Sequence, residues 1–195
     1  KYFYLPPIDF FVFTSFVNQS IDFLMSHSDN TTSDLSLETN RLLIRPIQET
    51  DAAFMLILMN TRGWLDYIGD RHITSLLLAK KYIAGLLREG KSHYFVVSEK
   101  DSGKEVGVLS LVQRDYLEYV DLGFAFLPQF HGKGMAYEAA SSLMARVKDI
   151  NQTILAVTTP DNTASQALIE KLNFSFLKTI FRHDQPLLLY IHTTN

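Results

Sequence analysis

Residues 127–136 read LPQFHGKGMA, and Gly132 and Gly134 stand one residue apart directly before a strongly helical pattern. Because glycine has no Cβ, the backbone there can approach a ligand closely, and consecutive amides at a helix start can converge on one anion. The partial positive charge of the helix N-terminus adds to this preference. The stretch therefore predicts a phosphate-binding loop, although two glycines are equally compatible with a plain tight turn.

Two other phosphate motifs fit this stretch less well. A P-loop requires Ser or Thr after its Gly-Lys pair, where this chain has Gly134. The dinucleotide-binding fingerprint requires a third small residue, where this chain has Tyr137. Nucleoside triphosphates and NAD are therefore disfavoured as ligands.

A crossover unit surrounds the two glycines. Residues 119–127 alternate as a strand, apolar residues at steps of three and four predict a helix over 136–147, and the apolar run 154–158 predicts a strand buried on both faces. A strand, a helix and a second strand of this kind form a right-handed unit with parallel strands. The loop thus lies at the strand-to-helix turn of a β-α-β unit.

The rest of the chain after residue 37 indicates a mixed α/β domain. Alternation and turn residues predict strands at 42–46, 94–98, 106–112, 176–181 and 187–192, the second and third of them joined as a hairpin. Helical spacing predicts helices at 52–59, 75–88 and 163–172, the first of them capped by Thr50-Asp51. Residues 60–73 are predicted to be irregular.

The chain resembles the GNAT superfamily of acetyl-CoA-dependent N-acetyltransferases, specifically its ribosomal-protein N-terminal acetyltransferase-like branch. Gln129, Gly132 and Gly134 match the pyrophosphate loop of that family, Gln/Arg-x-x-Gly-x-Gly/Ala. Residues 162–174, NTASQALIEKLNF, are similar to the branch signature Asn-x-x-Ser-x-x-Leu-x-Glu-Lys-x-Gly-Phe, with Asn173 in place of the usual glycine. The opening strand and helix also look alike, so the resemblance covers about residues 37–192.

The resemblance implies a GNAT-like fold: a central mixed, mostly antiparallel, twisted sheet of about six to seven strands, flanked by helices and containing a β-α-β cofactor-binding unit. It also implies acetyl-CoA as the cofactor and CoA as the product. The glycines would act through their backbone amides. The implied cofactor contacts, in chain order, are Phe126, Leu127, Gln129, His131, Gly132, Lys133, Gly134, Met135, Ala136, Asn162 and Ser165.

The same resemblance implies particular roles for two residues after the second parallel strand. Asn162 would donate a hydrogen bond to the pantetheine arm or to a phosphate, and Ser165 would be a catalytic residue that protonates the departing thiolate. The alternatives remain open, since Asn is also well suited to cap a helix and Ser165 could be an exposed serine of the first helical turn. Lys133 could likewise add charge to the loop or be a solvated lysine.

Acetyl transfer requires a neutral amine to attack a thioester and an acceptor for the amine proton. Period-two alternation places Asp121 on the same face of its strand as Gly123 and Ala125, so a carboxylate stands beside small residues. Asp121 is therefore our candidate catalytic base, the alternative being a structural carboxylate. Glu138 carries less weight, because it lies on the polar side of its helix. The acceptor pocket is expected in the irregular segment, with Trp64, Tyr67, Asp70 and Arg71 as candidate substrate-binding residues.

Composition excludes several other functions. The chain has 195 residues, 18 Lys plus Arg against 21 Asp plus Glu, and a net charge of −3. It therefore lacks the positive electrostatic field that would attract nucleic acid or an anionic membrane. It contains no cysteine, which excludes disulfides, thiolate nucleophiles and Cys-based zinc sites and fits a reducing, cytoplasmic compartment. The six His lack metal-ligand spacing and no Gly-x-Ser-x-Gly elbow occurs, so we expect no metal and no serine nucleophile.

The first 36 residues differ from the rest. Residues 1–24 are apolar and contain six of the 14 Phe, and a polar linker follows to Ser36. The uncharged run is too short and too polar for a spanning helix. Met25 is a candidate native start, which would make residues 1–24 a leader; a docked N-terminal arm is the alternative. We expect an acetyltransferase domain over 37–195.

The sequence therefore predicts an enzyme that transfers acetyl directly from acetyl-CoA to a primary amine, either a protein N-terminus or a small-molecule amine. The alternative is a non-catalytic acyl-CoA sensor or interaction module on the same fold. Neither monomer nor homodimer is favoured by the sequence.

Overall fold

A mixed eight-stranded sheet forms the centre of the computed structural model, which describes residues 36–90, 92–148 and 153–193. The strands in chain order are β1 (Leu37–Glu38), β2 (Leu42–Pro46), β3 (Ser92–Glu99), β4 (Glu105–Val112), β5 (Asp121–Phe126), β6 (Thr153–Thr158), β7 (Ser175–Arg182) and β8 (Gln185–Thr193). The helices are α1 (Ala52–Met59), α2 (Arg62–Tyr67), α3 (Leu76–Glu89), α4 (Met135–Val147) and α5 (Thr163–Lys171). The predicted fold class is confirmed, and the short β1 adds an eighth strand.

The sheet order is β1-β2-β3-β4-β5-β6-β8-β7. All neighbouring strands pair antiparallel except β5 and β6, which are joined by the α4 crossover and pair parallel. The β-α-β unit predicted around the glycines is therefore present, at the one parallel position among the described strands.

Helices cover both faces of the sheet. One core cluster packs α4 and α5 against β2 to β6, with Leu143 and Ile169 almost fully buried. A second cluster packs α1, α2 and α3 against the other face, on Val96 of β3 and Val108 of β4. Adjacent residues of β3 and β4 are buried on opposite faces of the sheet, because side chains alternate along a strand, and Val97 and Leu109 accordingly join the first cluster.

Most helix ends match the sequence prediction. Ser75 caps α3 by accepting from the Leu78 amide at 3.3 Å, and Gly90 ends it in the left-handed conformation. Asn173 has a φ of 63°, so asparagine adopts the left-handed conformation at the position where the resembled signature has glycine.

Two local predictions are wrong. Residues 60–73 are not wholly irregular, because Thr61 caps the short helix α2 by accepting from the Trp64 amide at 3.4 Å. Asp51 stands before α1 but its carboxylate makes no cap to that helix. It pairs instead with Arg45 through contacts of 2.6 and 2.8 Å and accepts from the Gln48 amide at 2.7 Å.

The apolar N-terminal segment 1–24 and the linker up to residue 35 lie outside the described residues. Within the described part of the chain, no helix has the length and apolar character needed to cross a membrane.

Candidate active site

β5 and β6 begin as a parallel pair and then separate. The Leu155 amide donates to the Val120 carbonyl at 2.9 Å, and Asp121 is paired in register with Leu155. Asp121–Leu155 is the one ladder pair between the two strands among the described residues. The strands therefore form a cleft that opens toward their carboxyl ends, which is where ligands bind between parallel strands.

The glycine loop follows the carboxyl end of β5 and so lies at the open end of this cleft. Gly132 and Gly134 have φ values of 72° and 74°, in the left-handed region that favours glycine. Gly134 is the N-terminal cap of α4, and its carbonyl accepts from the Glu138 amide at 3.0 Å. A Cβ added at Gly132 would meet no atom within 4 Å, so the loop presents bare backbone to open space.

The amides of this loop fit a pyrophosphate. The His131 amide donates to the Pro128 carbonyl at 3.1 Å, but residues 132–137 have no hydrogen-bond acceptor for their amides in the described ranges 36–90, 92–148 and 153–193. Unpaired amides at a helix N-terminus favour an anion. The donor set of the loop is therefore compatible with the CoA pyrophosphate that the sequence resemblance implies.

The other predicted loop residues divide into buried and exposed groups. The side chains of Phe126, Leu127 and Met135 belong to the core. Gln129 and Lys133 are exposed, and the Lys133 ammonium lies 5.2 Å from the centroid of the Phe130 ring. The remaining two are His131, whose Nε2 lies 2.8 Å from the Phe126 carbonyl, and Ala136, half-buried in the first turn of α4.

Asn162 and Ser165 lie at the start of α5, beyond the carboxyl end of β6 and so across the cleft from the loop. Asn162 Oδ1 accepts from the Ser165 amide at 3.1 Å, so the capping role is present. The cap uses only the oxygen and leaves the Nδ2 amino group as a possible donor. The cap and a cofactor contact are thus compatible in one side chain.

Asp121 lies where β5 and β6 start to separate, and only 2% of its surface is exposed. Its Oδ2 contacts Arg114 Nε at 2.6 Å, and its Oδ1 accepts from the Val157 amide at 3.1 Å. Burial raises the pKa of the carboxyl, and the Arg114 cation and the Val157 amide lower it, leaving a net rise. Both oxygens are engaged, as the structural alternative expects, while the raised pKa suits a proton acceptor.

The candidate acceptor residues differ in burial. Trp64 is buried in the core cluster under α1 and α3, so its indole packs inside the fold, and its part in acceptor binding stays a prediction. Asp70 is exposed and contacts His72 at 3.1 Å, while Tyr67 and Arg71 are exposed on the same segment. The indole Nε1 of Trp64 has no acceptor among the described residues.

Two charged residues at the cleft were missed by the sequence reasoning. Arg114 balances Asp121 across the turn that joins β4 to β5, and Arg41 contacts both the glycine loop and Glu138. The register of the β4–β5 pair, in which Val112 faces Asp121, brings Arg114 near that carboxylate. That proximity could have been inferred from the short connection between the predicted strands 106–112 and 119–127, whereas the partner of Arg41 is 97 residues away.

Comparison with known proteins identifies the class. The model of the acetyltransferase (GNAT) domain matches residues 41–175, more than half of the chain. The chain therefore belongs to the GNAT family of acetyl-CoA-dependent N-acetyltransferases, as its glycine loop and its β5–β6 cleft indicate. Among curated protein sequences, none matches the chain.

Solved structures with a similar fold include three named as acetyltransferases. The ribosomal-protein-S5-alanine acetyltransferase from Vibrio fischeri has a TM-score of 0.68 at 18% identity, covering 82% of this chain and 96% of that one. A ribosomal L7/L12 alpha-N-protein acetyltransferase in complex with coenzyme A has a TM-score of 0.68 at 17% identity, covering 80% and 95%. A spermidine N-acetyltransferase chimera from Vibrio cholerae has a TM-score of 0.64 at 17% identity, covering 78% and 95%.

Proposed function

We propose that this protein binds acetyl-CoA in the β5–β6 cleft and transfers the acetyl group directly to a primary amine, either a protein N-terminus or a small-molecule amine. The observation that carries the proposal is that the amides of residues 132–137, at the open end of two separating parallel strands, have no acceptor in the described part of the chain. When bound, acetyl-CoA would supply an acetyl group activated as a thioester.

We assign a separate role to each residue of the cleft. Gly132 and Gly134 let the backbone amides of the loop approach the pyrophosphate, and the α4 N-terminus adds partial positive charge. Asn162 Nδ2 is assigned as a donor to the cofactor arm, and the Ser165 hydroxyl as the proton donor to the departing thiolate. Asp121 is assigned as the group that accepts the amine proton, directly or through water. We place the reaction in the cytoplasm and assign it to a domain spanning residues 37–195.

A pair of glycine variants tests cofactor binding. Gly132→Glu adds a side chain and a negative charge to the phosphate-binding loop and should abolish stabilisation by acetyl-CoA in a thermal-shift titration. Gly103→Glu is the matched control, because Gly103 also has a positive φ, 65°, and open space around its Cβ position, but lies in the β3–β4 turn. The parent and the control should gain about 2.7 kcal/mol at 100 times the dissociation constant.

ATP and NAD serve as ligand controls in the same titration, and CoA should behave like acetyl-CoA. A Gly132→Glu variant that keeps its affinity, or a parent that binds neither CoA species, would contradict the proposal.

The acceptor class is tested by thiol release with matched substrates. A peptide with a free N-terminus is compared with the same peptide carrying a blocked N-terminus, and spermidine and an aminoglycoside represent the small amines. Both arms are motivated by the solved neighbours, which include enzymes named for ribosomal proteins and for spermidine. Release above background with the free peptide alone identifies a protein N-terminus; release with none of these amines would contradict the transfer reaction.

A further inference from the structure

Glu138, on the first turn of α4, is the centre of a cluster that fastens the β1–β2 turn to the helix. Its Oε1 accepts from Thr39 Oγ1 at 2.5 Å and from the Arg41 amide at 3.0 Å. Its Oε2 contacts Arg41 Nε at 2.8 Å and Nη2 at 2.6 Å. One carboxylate therefore receives four contacts from a turn nearly a hundred residues away in sequence.

The charge state of Glu138 suits this arrangement. Partial burial raises the pKa of the Glu138 carboxyl. The hydrogen bonds from Thr39 and Arg41 lower the pKa by more than burial raises it, so the net shift is downward. Glu138 therefore remains ionised at neutral pH, and its negative charge balances the Arg41 cation. The guanidinium is thus oriented by the helix carboxylate, which leaves its remaining donors in a fixed direction.

Arg41 uses one of these donors on the glycine loop. Its Nη1 donates to the Lys133 carbonyl at 3.1 Å, and its Nη2 lies 3.7 Å from the position that a Cβ on Gly134 would occupy. In a trans peptide, the carbonyl of one residue and the N–H of the next point in opposite directions. Holding the Lys133 carbonyl toward Arg41 therefore turns the Gly134 N–H away from Arg41, and this amide is one of the loop donors without an acceptor among the described residues.

We propose that Thr39, Arg41 and Glu138 form a positioning cluster that presets the Lys133–Gly134 peptide for the cofactor pyrophosphate. This inference rests on the proposed binding of acetyl-CoA by the loop. The ionic charges of Arg41 and Glu138 cancel locally, so the cluster acts through geometry rather than by adding net positive charge. A loop that is already arranged loses less conformational freedom on binding.

The test combines Arg41→Gln and Arg41→Lys with Lys100→Ala as the control. Lys100 contacts Glu38 at 2.7 Å, so this control removes an ion pair from β1 without touching the loop. Each purified variant is titrated with acetyl-CoA by calorimetry, and its thermal unfolding is recorded without ligand. Turnover is measured with the acceptor that the parent uses.

Both Arg41 variants should raise the dissociation constant for acetyl-CoA about tenfold, the scale of one charge-assisted hydrogen bond. Arg41→Lys should fail to rescue, because a lysine ammonium cannot contact Glu138 and the Lys133 carbonyl with the same fork geometry. The kcat at saturating acetyl-CoA should stay within twofold of the parent, so the loss appears in KM. Lys100→Ala should leave affinity unchanged.

Three outcomes would overturn the inference. Unchanged affinity in Arg41→Gln would show that the cluster serves stability alone. Full rescue by Arg41→Lys would assign the effect to charge at the phosphate rather than to peptide geometry. An equal loss of affinity in Lys100→Ala would show that any weakening of β1 suffices. Failure of the parent to bind acetyl-CoA is a separate result, which rejects the proposed function before the variants are compared.

Discussion

Replacing Arg114 with methionine would leave the Asp121 carboxylate without its cation while keeping most of the aliphatic stem of the side chain. Asp121 is 2% exposed and contacts Arg114 Nε at 2.6 Å, so the carboxylate cannot regain solvent without opening the start of the cleft. Removing one partner of a buried pair costs about 3 to 5 kcal/mol of unfolding free energy. We expect about 3 kcal/mol here, because the Arg114 side chain is 36% exposed and the Val157 amide still donates to Asp121.

The destabilisation should depend on pH, with a definite sign. Burial already raises the pKa of Asp121 above its ordinary value, and the variant loses the charge and the hydrogen bond of Arg114 that oppose the rise. The folded-state pKa of Asp121 in the variant is therefore higher still. A carboxyl whose folded pKa is raised contributes stability that is present below the unfolded value and is lost as pH rises through the folded pKa. The unfolding free energy of the variant should therefore be only slightly lower than that of the parent near pH 4, and the difference should be largest at neutral pH.

Chemical denaturation of parent and variant at pH 4.5, 6 and 7.5 measures this deficit. Arg182→Met is the matched control: its guanidinium carbon lies 4.1 Å from the centroid of the same Tyr116 ring that Arg114 approaches, but its contact with the exposed Asp115 is 3.9 Å long. That control should cost about 0.5 kcal/mol or less. A deficit that is equal at all three pH values, or one matched by Arg182→Met, would refute the assignment of Asp121 as a buried, Arg114-dependent charge.

Three further predictions concern the cleft. Asp121→Asn should lower kcat about 100-fold and remove the acidic limb of the pH–rate profile while acetyl-CoA affinity stays within threefold; a rate near that of the parent would exclude a catalytic role. Asn162→Asp should preserve the cap of α5 and hence the melting temperature, but weaken acetyl-CoA binding about tenfold in calorimetry because a carboxylate replaces the amide donor; unchanged affinity would leave only the capping role. Gly123→Ala places a Cβ 2.5 Å from Ser110 Oγ and should lower the unfolding free energy by about 1 to 3 kcal/mol in denaturant unfolding. Adding Ser110→Ala should recover most of this loss, because the Ser110 Cβ lies 3.9 Å from the new Cβ. An unchanged loss in the double variant would contradict the steric explanation.

The conformation of the glycine loop was predictable because its signals are local. Gly132 and Gly134 need positive φ, the helix that follows has a clear apolar spacing, and both features act over a few neighbouring residues. The same holds for Asn162 and Ser165, since a cap is formed within three residues. The positive φ angles of the glycines and the cap of the helix are set by neighbouring residues and depend little on the rest of the fold.

The environments of Trp64 and Asp51 were less predictable because they depend on packing. Trp64 stands in a segment with two glycines and several charges, which resembles a loop, yet Thr61 starts a short helix there and the indole packs beneath α1 and α3. Asp51 precedes a helix and has the residue type of a cap, yet a bidentate contact with Arg45 uses its carboxylate. In both cases a long-range or cross-element contact outweighed a local propensity.

By itself, the sequence determined that a glycine loop begins a helix between two parallel strands, because hydrophobic periodicity and the conformational needs of glycine are properties of neighbouring residues. Only the tertiary structure decided which charges meet at that loop and cleft. Glu138 looked like a solvated residue on a polar helix face, and it became the partner of Arg41 because the sheet brings the β1–β2 turn over the start of α4. Asp121 became a buried partner of Arg114 and of the Val157 amide because β5 and β6 separate beside it. Such pairings depend on strand order and register, which a charge pattern along one chain does not specify.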